Sequence, residues 1–353
     1  MESAARSEHG AESAPSRGSE DRPASERTVK FSLKHIIRRP EFGAFAGMIL
    51  VYAFFAVAGK RGFLTLAGTA NWMNTASELG VLAVPVGMLM IAGEFDLSVG
   101  SVIGASSMIV SIGNGFYGLP MWVAIILALV IGTLIGLGNG IITVSTRLPS
   151  FIVTLAGLFM VAGAALGFSR LLSGTTAVTL TPQGSAQLIF GSQAAGFHAS
   201  ILWWIVITAV ASWILTQTPY GNWIFATGAN PNAARSAGVP TDRVKISLFV
   251  ATALGAVLVG VLQTIQYSGG DVTYGRDFVF DAPVAAVIGG VLLTGGYGSA
   301  IGVFLGSVIF GVVNMGIFYT GWNSDWAQLV LGTLLLLAVL GNNYFRKLAL
   351  TGR

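Results

Sequence analysis

The sequence predicts an all-α, polytopic membrane protein with about ten transmembrane helices in two inverted five-helix repeats. Three observations predict it. Of 353 residues, 54% are hydrophobic and only 10% charged, with a mean hydropathy of +0.75, proportions far outside those of soluble globular domains. Apolar runs able to cross a hydrocarbon core of about 30 Å recur ten times along the chain. Segments from the two halves of the chain also match at a constant offset.

The first forty residues are polar, rich in Ser, Glu and Arg, and contain no apolar stretch. They are expected to form a disordered cytoplasmic tail (1–40) ending in a basic juxtamembrane segment. The transmembrane domain follows over 41–345. Its spans are expected at 42–59, 77–93, 97–115, 120–146, 150–172, 199–218, 244–267, 280–296, 299–319 and 324–342, and 346–353 form the C-terminus. With the N-terminus in the cytoplasm, fifteen Lys and Arg fall inside: eight in the N-terminal segment, then Arg147, Arg235, Arg243, Lys245, Arg346, Lys347 and Arg353. Four fall outside, namely Lys60, Arg61, Arg170 and Arg276. That asymmetry places both termini in the cytoplasm, as ten spans require. The chain has no cysteine, which removes disulfides, thiolate metal sites and a cysteine nucleophile. Its excess of basic residues is accounted for by membrane topology and gives no reason to expect nucleic acid as a partner.

The repeat is seen at a shift of 175 residues, which pairs Gly136 with Gly311, Asn139 with Asn314, Phe151 with Trp326 and Gly157 with Gly332. A weaker match at 158 pairs NTASELGV (74–81) with NAARSAGV (232–239). An offset of five spans is odd, so the halves would be inverted across the membrane.

Two motifs carry most of the functional information. In GEFDLSVG (93–100), Glu94 and Asp96 interrupt an apolar run. A carboxylate in hydrocarbon costs several kcal/mol unless it faces protein or water. The segment therefore reads as a break between helices, with Asp96 able to cap the next one by accepting backbone N–H groups. The break is either a cap alone or also a border of a polar path. In GANPNAARSAGVPTDRVK (228–245), Asn230 is an N-cap, Pro231 the first helical residue, Gly238 a left-handed stop, and Pro240 and Thr241 lead into the next helix. A helix of two turns is marginal alone. Either it rests on its own protein, or Ala233, Ala234 and Ala237, with Arg235 at the rim, dock into a partner.

DVTYGRDFVFDAP (271–283) gathers Asp271, Arg276, Asp277 and Asp281 into a solvated loop or a docking edge. Trp203, Trp204 and Trp223 read as an interfacial belt. Gly132, Gly136 and Gly140 permit close helix packing, within the subunit or between copies. No G-x-x-x-x-G-K-[ST] is present, so the chain lacks that device for holding ATP phosphates. Nor are His9, His35 and His198 spaced as metal ligands. Central parts of nearly all spans lack ionisable residues, which weakens the case for proton coupling.

GEFDLSVGSVIG resembles the G-x-x-D-L-S-x-G signature of permease subunits of bacterial ABC importers for ribose, xylose and related monosaccharides. LPSFIVTLAGLFMVAG (148–163) resembles that family's P-x-F-I-x-T-L segment, and GANPNAARSAGV its G-x-N-x-x-A-A-x-x-x-G-[IV] coupling loop. The similarity runs from about residue 40 to 342, and branched-chain amino acid permeases share much of it. Where the family usually has two glycines before the aspartate, this chain has Gly93 and then Glu94, and most members lack the long tail.

The resemblance implies a subunit of the bacterial inner membrane that catalyses no bond chemistry, needs no cofactor and pairs with a second copy of itself. It would receive a small neutral sugar or polyol from a periplasmic substrate-binding protein and be driven by a cytoplasmic ATP-binding subunit. The resemblance assigns the ATPase contact to Gly228, Asn230, Ala234, Arg235 and Gly238. It assigns Gly93, Asp96 and Ser98 to the helix break by the translocation path, and Asn139, Thr154 and Asn314 to polar faces of central helices. A stand-alone secondary carrier or channel, or a branched-chain amino acid ABC permease, is the alternative.

Overall fold

A computed structural model of the chain describes residues 40–351. The tail expected at 1–40 therefore lies, but for Pro40, outside the described residues, as do the last two residues. Eight helices have the length and apolar character to cross a membrane. They are α1 (Pro40–Ala58), α3 (Leu66–Ile91), α4 (Val99–Ser111, continued as a π-helix over Ile112–Phe116), α5 (Met121–Thr146), α6 (Ser150–Ser173), α8 (Ser200–Gln217), α11 (Thr241–Gln266) and α13 (Ala300–Thr320). Two further apolar helices, α12 (Phe278–Ile288) and the first part of α14 (Trp326–Thr351), complete ten among the described residues. Short helices α2 (Lys60–Phe63), α7 (Gly184–Phe190), α9 (Pro219–Ala229) and α10 (Pro231–Ser236) lie between them. Two small antiparallel ladders occupy the loops, β1 (Ala177–Thr179) with β4 (Gly269–Asp271) and β2 (Gln193–Ala194) with β3 (Phe197–His198).

Three boundaries differ by eight residues or more from the sequence expectation, and at one of them the helix of the last span runs on to Thr351 rather than ending at 342. The second span begins at Leu66 rather than 77, because Thr65 caps it by accepting from the Gly68 N–H at 3.0 Å. Its moderately polar first turns hide that start from hydropathy. The eighth span stops at Ile288 rather than 296, where a glycine-rich stretch with left-handed Gly290, Gly295 and Gly296 cannot continue a helix.

The shift of 175 holds over most of both halves. α3 and α11 are 175 residues apart at both ends, α5 begins 179 before α13, and α6 begins 176 before α14. α3 and α11 run antiparallel, with Pro85 against Gly255 and Glu78 against Gln263. Their partners are related in the same way: Gly132, Gly136 and Gly140 of α5 pack on Val257, Ala253 and Ile246 of α11, while Gly311 of α13 packs on Trp72 and Ala76 of α3. The glycine stripe of α5 is thus spent inside the subunit. The weaker match at 158 joins the middle of α3 to the exposed α10 and its turn, and so has no structural counterpart.

Burial identifies the centre of the subunit, since 94% of the most apolar stretch of α3 is covered but only 17% of that of α6. Trp204, expected at an interface, is instead buried in this core and stacks on Phe304 with ring centroids 4.0 Å apart.

Candidate functional site

The break between α3 and α4 is built by finding a partner for each polar group the helices leave free. Gly93 turns the chain out of α3 with φ +87°. The Glu94 N–H still closes back on the Leu89 carbonyl at 3.1 Å, but residues 95–97 run without helical hydrogen bonds, which in a membrane interior requires partners from neighbouring side chains. α6 supplies them: the Phe95 N–H donates to Ser150 Oγ at 3.0 Å and the Leu97 N–H to Thr154 Oγ1 at 3.1 Å. Asp96, only 2% exposed, accepts at Oδ1 from the Ser98 N–H (3.0 Å) and Ser98 Oγ (2.6 Å), and at Oδ2 from Thr252 Oγ1 (2.7 Å). Asn139 of α5 donates to Ser98 Oγ at 2.8 Å. Asp96 thus ties the turn around Ser98 to α11, and Ser98 rather than Asp96 is the N-cap residue of α4.

Gly93, Asp96, Ser98, Asn139 and Thr154 therefore come together at one place. Asn314 does not join them; it sits half-buried on α13, next to the stretch that packs on Trp72 and Ala76. Glu94, where the resemblance leads to a second glycine, is 12% exposed and pairs with Lys245 of α11 at 2.5 Å. Thr252 lies eleven residues into α11, about 16 Å along its axis, so the Asp96 cluster sits near the middle of this 26-residue apolar helix.

α10 is built as the sequence punctuation directs. Asn230 Oδ1 accepts from the N–H groups of Asn232 and Ala233, both at 3.1 Å, and Gly238 takes φ +85°. Arg235 pairs with Asp242 in the first turn of α11 at 2.5 Å, with both side chains about half exposed. Ala234 is buried beneath the helix, and Gly228 lies against the Ile91 carbonyl, where any side chain would collide with backbone. Asn232, Ala233, Arg235 and Ala237 form the exposed surface. Tyr220 of α9 shares a hydrogen bond with Ser247 of α11, and burial raises its hydroxyl pKa.

Sequence reasoning gave no role at the break to Ser150 and Lys245, although both lie inside the segments 148–163 and 228–245, nor to Thr252, which belongs to no motif. It also missed a second break for which a signal existed. The shift of 175 aligns DLSVG (96–100) with DVTYG (271–275). In the structure Asp271 Oδ1 accepts from the Thr273 N–H at 2.7 Å and Thr273 Oγ1 at 2.6 Å, repeating the Asp96–Ser98 arrangement. The two breaks cross at Gly100 and Gly275, where a Cβ on Gly100 would stand 2.6 Å from the Gly275 carbonyl oxygen. Beside this crossing, burial chiefly, with Asp271 and Glu78 nearby, pushes the Tyr274 hydroxyl above the ordinary tyrosine range.

Two inverted helical halves that cross at polar breaks between apolar helices define a multi-pass membrane transport protein. The chain belongs to the family described as branched-chain amino acid transport system, permease component, whose pattern matches residues 68–339. It is similar to the xylose/arabinose import permease protein of Sulfolobus acidocaldarius, at 30% identity over 90% of this chain and 88% of the relative. The xylose transport system permease protein of Escherichia coli is 28% identical over 84% and 90%, and the fructose import permease protein of Rhizobium meliloti 28% over 92% of each. The protein is a transport permease subunit and not an enzyme.

Proposed function

We propose that this chain is the membrane-spanning subunit of an ATP-driven (ABC) importer for a monosaccharide or polyol, a pentose, hexose or inositol. In this reading a second copy completes the pore, a periplasmic substrate-binding protein delivers the substrate, and an ATP-binding subunit docks on the cytoplasmic face. The relatives named for xylose, arabinose, fructose and ribose support the sugar class. The observation that carries the coupling is the single helix α11. Asp242 at its start holds exposed α10 through Arg235, Lys245 one turn on holds Glu94, and Thr252 holds Asp96. A push on α10 by the ATPase therefore reaches both carboxylates of the break along one rigid element. The basic residues Arg147, Arg235, Arg243 and Lys245 cluster at the end of the bundle bearing α10, which favours a cytoplasmic location for that end and for both termini.

The test is to purify the tagged native complex in gentle detergent, identify every co-purifying chain, and measure cellular uptake of radiolabelled D-xylose, D-ribose, D-fructose, myo-inositol and L-leucine. A stoichiometric partner carrying G-x-x-x-x-G-K-[ST], with uptake of a sugar or inositol, supports the reading. Recovery of the chain alone, still transporting in ATP-free vesicles, makes it a secondary carrier or channel; uptake of leucine only makes it an amino acid importer.

A further inference from the structure

A cavity of about 470 Å³ opens where the two breaks cross, between the first turn of α4, the middle of α6, the loop after β4 and the start of α12. Its size falls within the range of small-molecule sites, about 300–1,000 Å³. We propose that this cavity is where the permease itself binds the transported sugar, with Ser101, Tyr274 and Arg276 contacting hydroxyls and Phe159 and Phe280 covering the carbon face. The assignment rests on the sugar-importer reading above and names the residues that would serve it.

Position is the first support. Ser101 and Arg276 stand 175 residues apart, so the two repeats contribute equivalent positions to one cavity. In transporters with duplicated halves, substrates bind at the repeat interface, where irregular backbone lines a cavity. Chemistry is the second. Arg276 forms no ion pair among the described residues, and Tyr274 Oη makes no hydrogen bond among them. Both therefore have donors available beside the cavity, and a planar guanidinium offers several in fixed geometry to adjacent hydroxyls. Ser101 already donates to the Ser98 carbonyl at 2.8 Å, leaving its oxygen to accept. Phe159 and Phe280 are 69% and 68% exposed and present apolar ring faces of the kind that cover ligand carbon atoms. Among the described residues no carboxylate lines the cavity, which disfavours the ammonium group of an amino acid and suits a neutral polyol.

Because the chain has no cysteine, a single thiol can report occupancy. Gly163 lines the cavity with open space where a Cβ would stand, so Gly163→Cys is built without a clash. Cells carrying the native partners are treated with N-ethylmaleimide with and without saturating D-xylose, D-ribose or D-fructose, and the purified permease is assayed for label. The transported sugar should slow labelling of Gly163→Cys at least about threefold, while Leu171→Cys, exposed on the same helix away from the cavity, should label at an unchanged rate. Arg276→Met should lower maximal uptake about tenfold with ATPase co-purification intact, and Arg276→Lys should restore part of it. Tyr274→Phe should change the ratio of uptake among the three sugars, which a general folding defect would not. Unprotected Gly163→Cys, together with normal uptake by Arg276→Met and an unchanged sugar ratio in Tyr274→Phe, would overturn the assignment in cells that take up sugar. Cells with the unaltered permease that take up none of the three would overturn the sugar reading and this assignment with it.

Discussion

The pair of Glu94 with Lys245 offers the most quantitative test of how the break is held. Lys245→Met leaves Glu94, 12% exposed, without its cation, and Glu94→Gln leaves Lys245, 19% exposed, without its anion. Removing one partner of a fully buried pair costs about 3–5 kcal/mol, and the residual exposure here lowers that to about 2–3 kcal/mol. Removing both charges leaves neutral side chains of similar volume and should cost about 1 kcal/mol. The double variant is therefore expected to be more stable than either single one, an interaction of at least about 2 kcal/mol. The assay is thermal unfolding of the detergent-purified protein at one scan rate, since such unfolding is commonly irreversible. At about 2 °C per kcal/mol for a chain of this size, each single variant should melt about 4–6 °C lower and the double variant within about 2 °C of the original. Single variants within about 1 °C of the original, or a double variant showing the sum of both losses, would refute the claim that this ion pair fastens the break to α11.

Two further outcomes follow from the same geometry. Asp96→Ala strands Ser98 and Thr252, whose hydroxyls and N–H now converge on one buried carboxylate, and each buried group left unpaired costs about 1–3 kcal/mol; transport should fall at least about tenfold, further than in Glu94→Ala, and equal uptake by the two variants would count against the central role of Asp96. Gly238→Val places a β-branched residue at φ +85°, a strain of at least about 1–2 kcal/mol; the permease should still insert in the membrane but lose its ATPase on co-purification, and full retention of a partner ATPase would remove α10 from the coupling surface.

Much of the fold was legible because a membrane imposes coarse and strict rules. Ten apolar runs, the Lys and Arg asymmetry and the helix punctuation of α10 all express local physics: hydrocarbon thickness, surface charge, and the backbone needs of a helix end. The break at Gly93–Gly100 was legible for the same reason, since carboxylates in an apolar run demand an explanation. Boundaries failed where local hydropathy was a poor guide. The polar first turns of α3 are helical because of Thr65 and their packing, and α12 ends early because several glycines adopt left-handed conformations that no hydropathy window detects.

The sequence by itself determined that this chain spans a membrane, that it is duplicated with an odd offset, and where its polar interruptions lie, because these follow from composition and spacing along one dimension. Only the tertiary structure decided what those interruptions touch. It joined Asp96 to Thr252 across 156 residues and Glu94 to Lys245 across 151, turned the α5 glycines onto α11, buried Ala234, and laid DLSVG across DVTYG. The physical reason is that hydrogen bonds and ion pairs are satisfied by whichever groups packing brings within about 3 Å, and α11, in which no residue past Lys245 belongs to a motif, supplies partners to both carboxylates only because it is packed beside them.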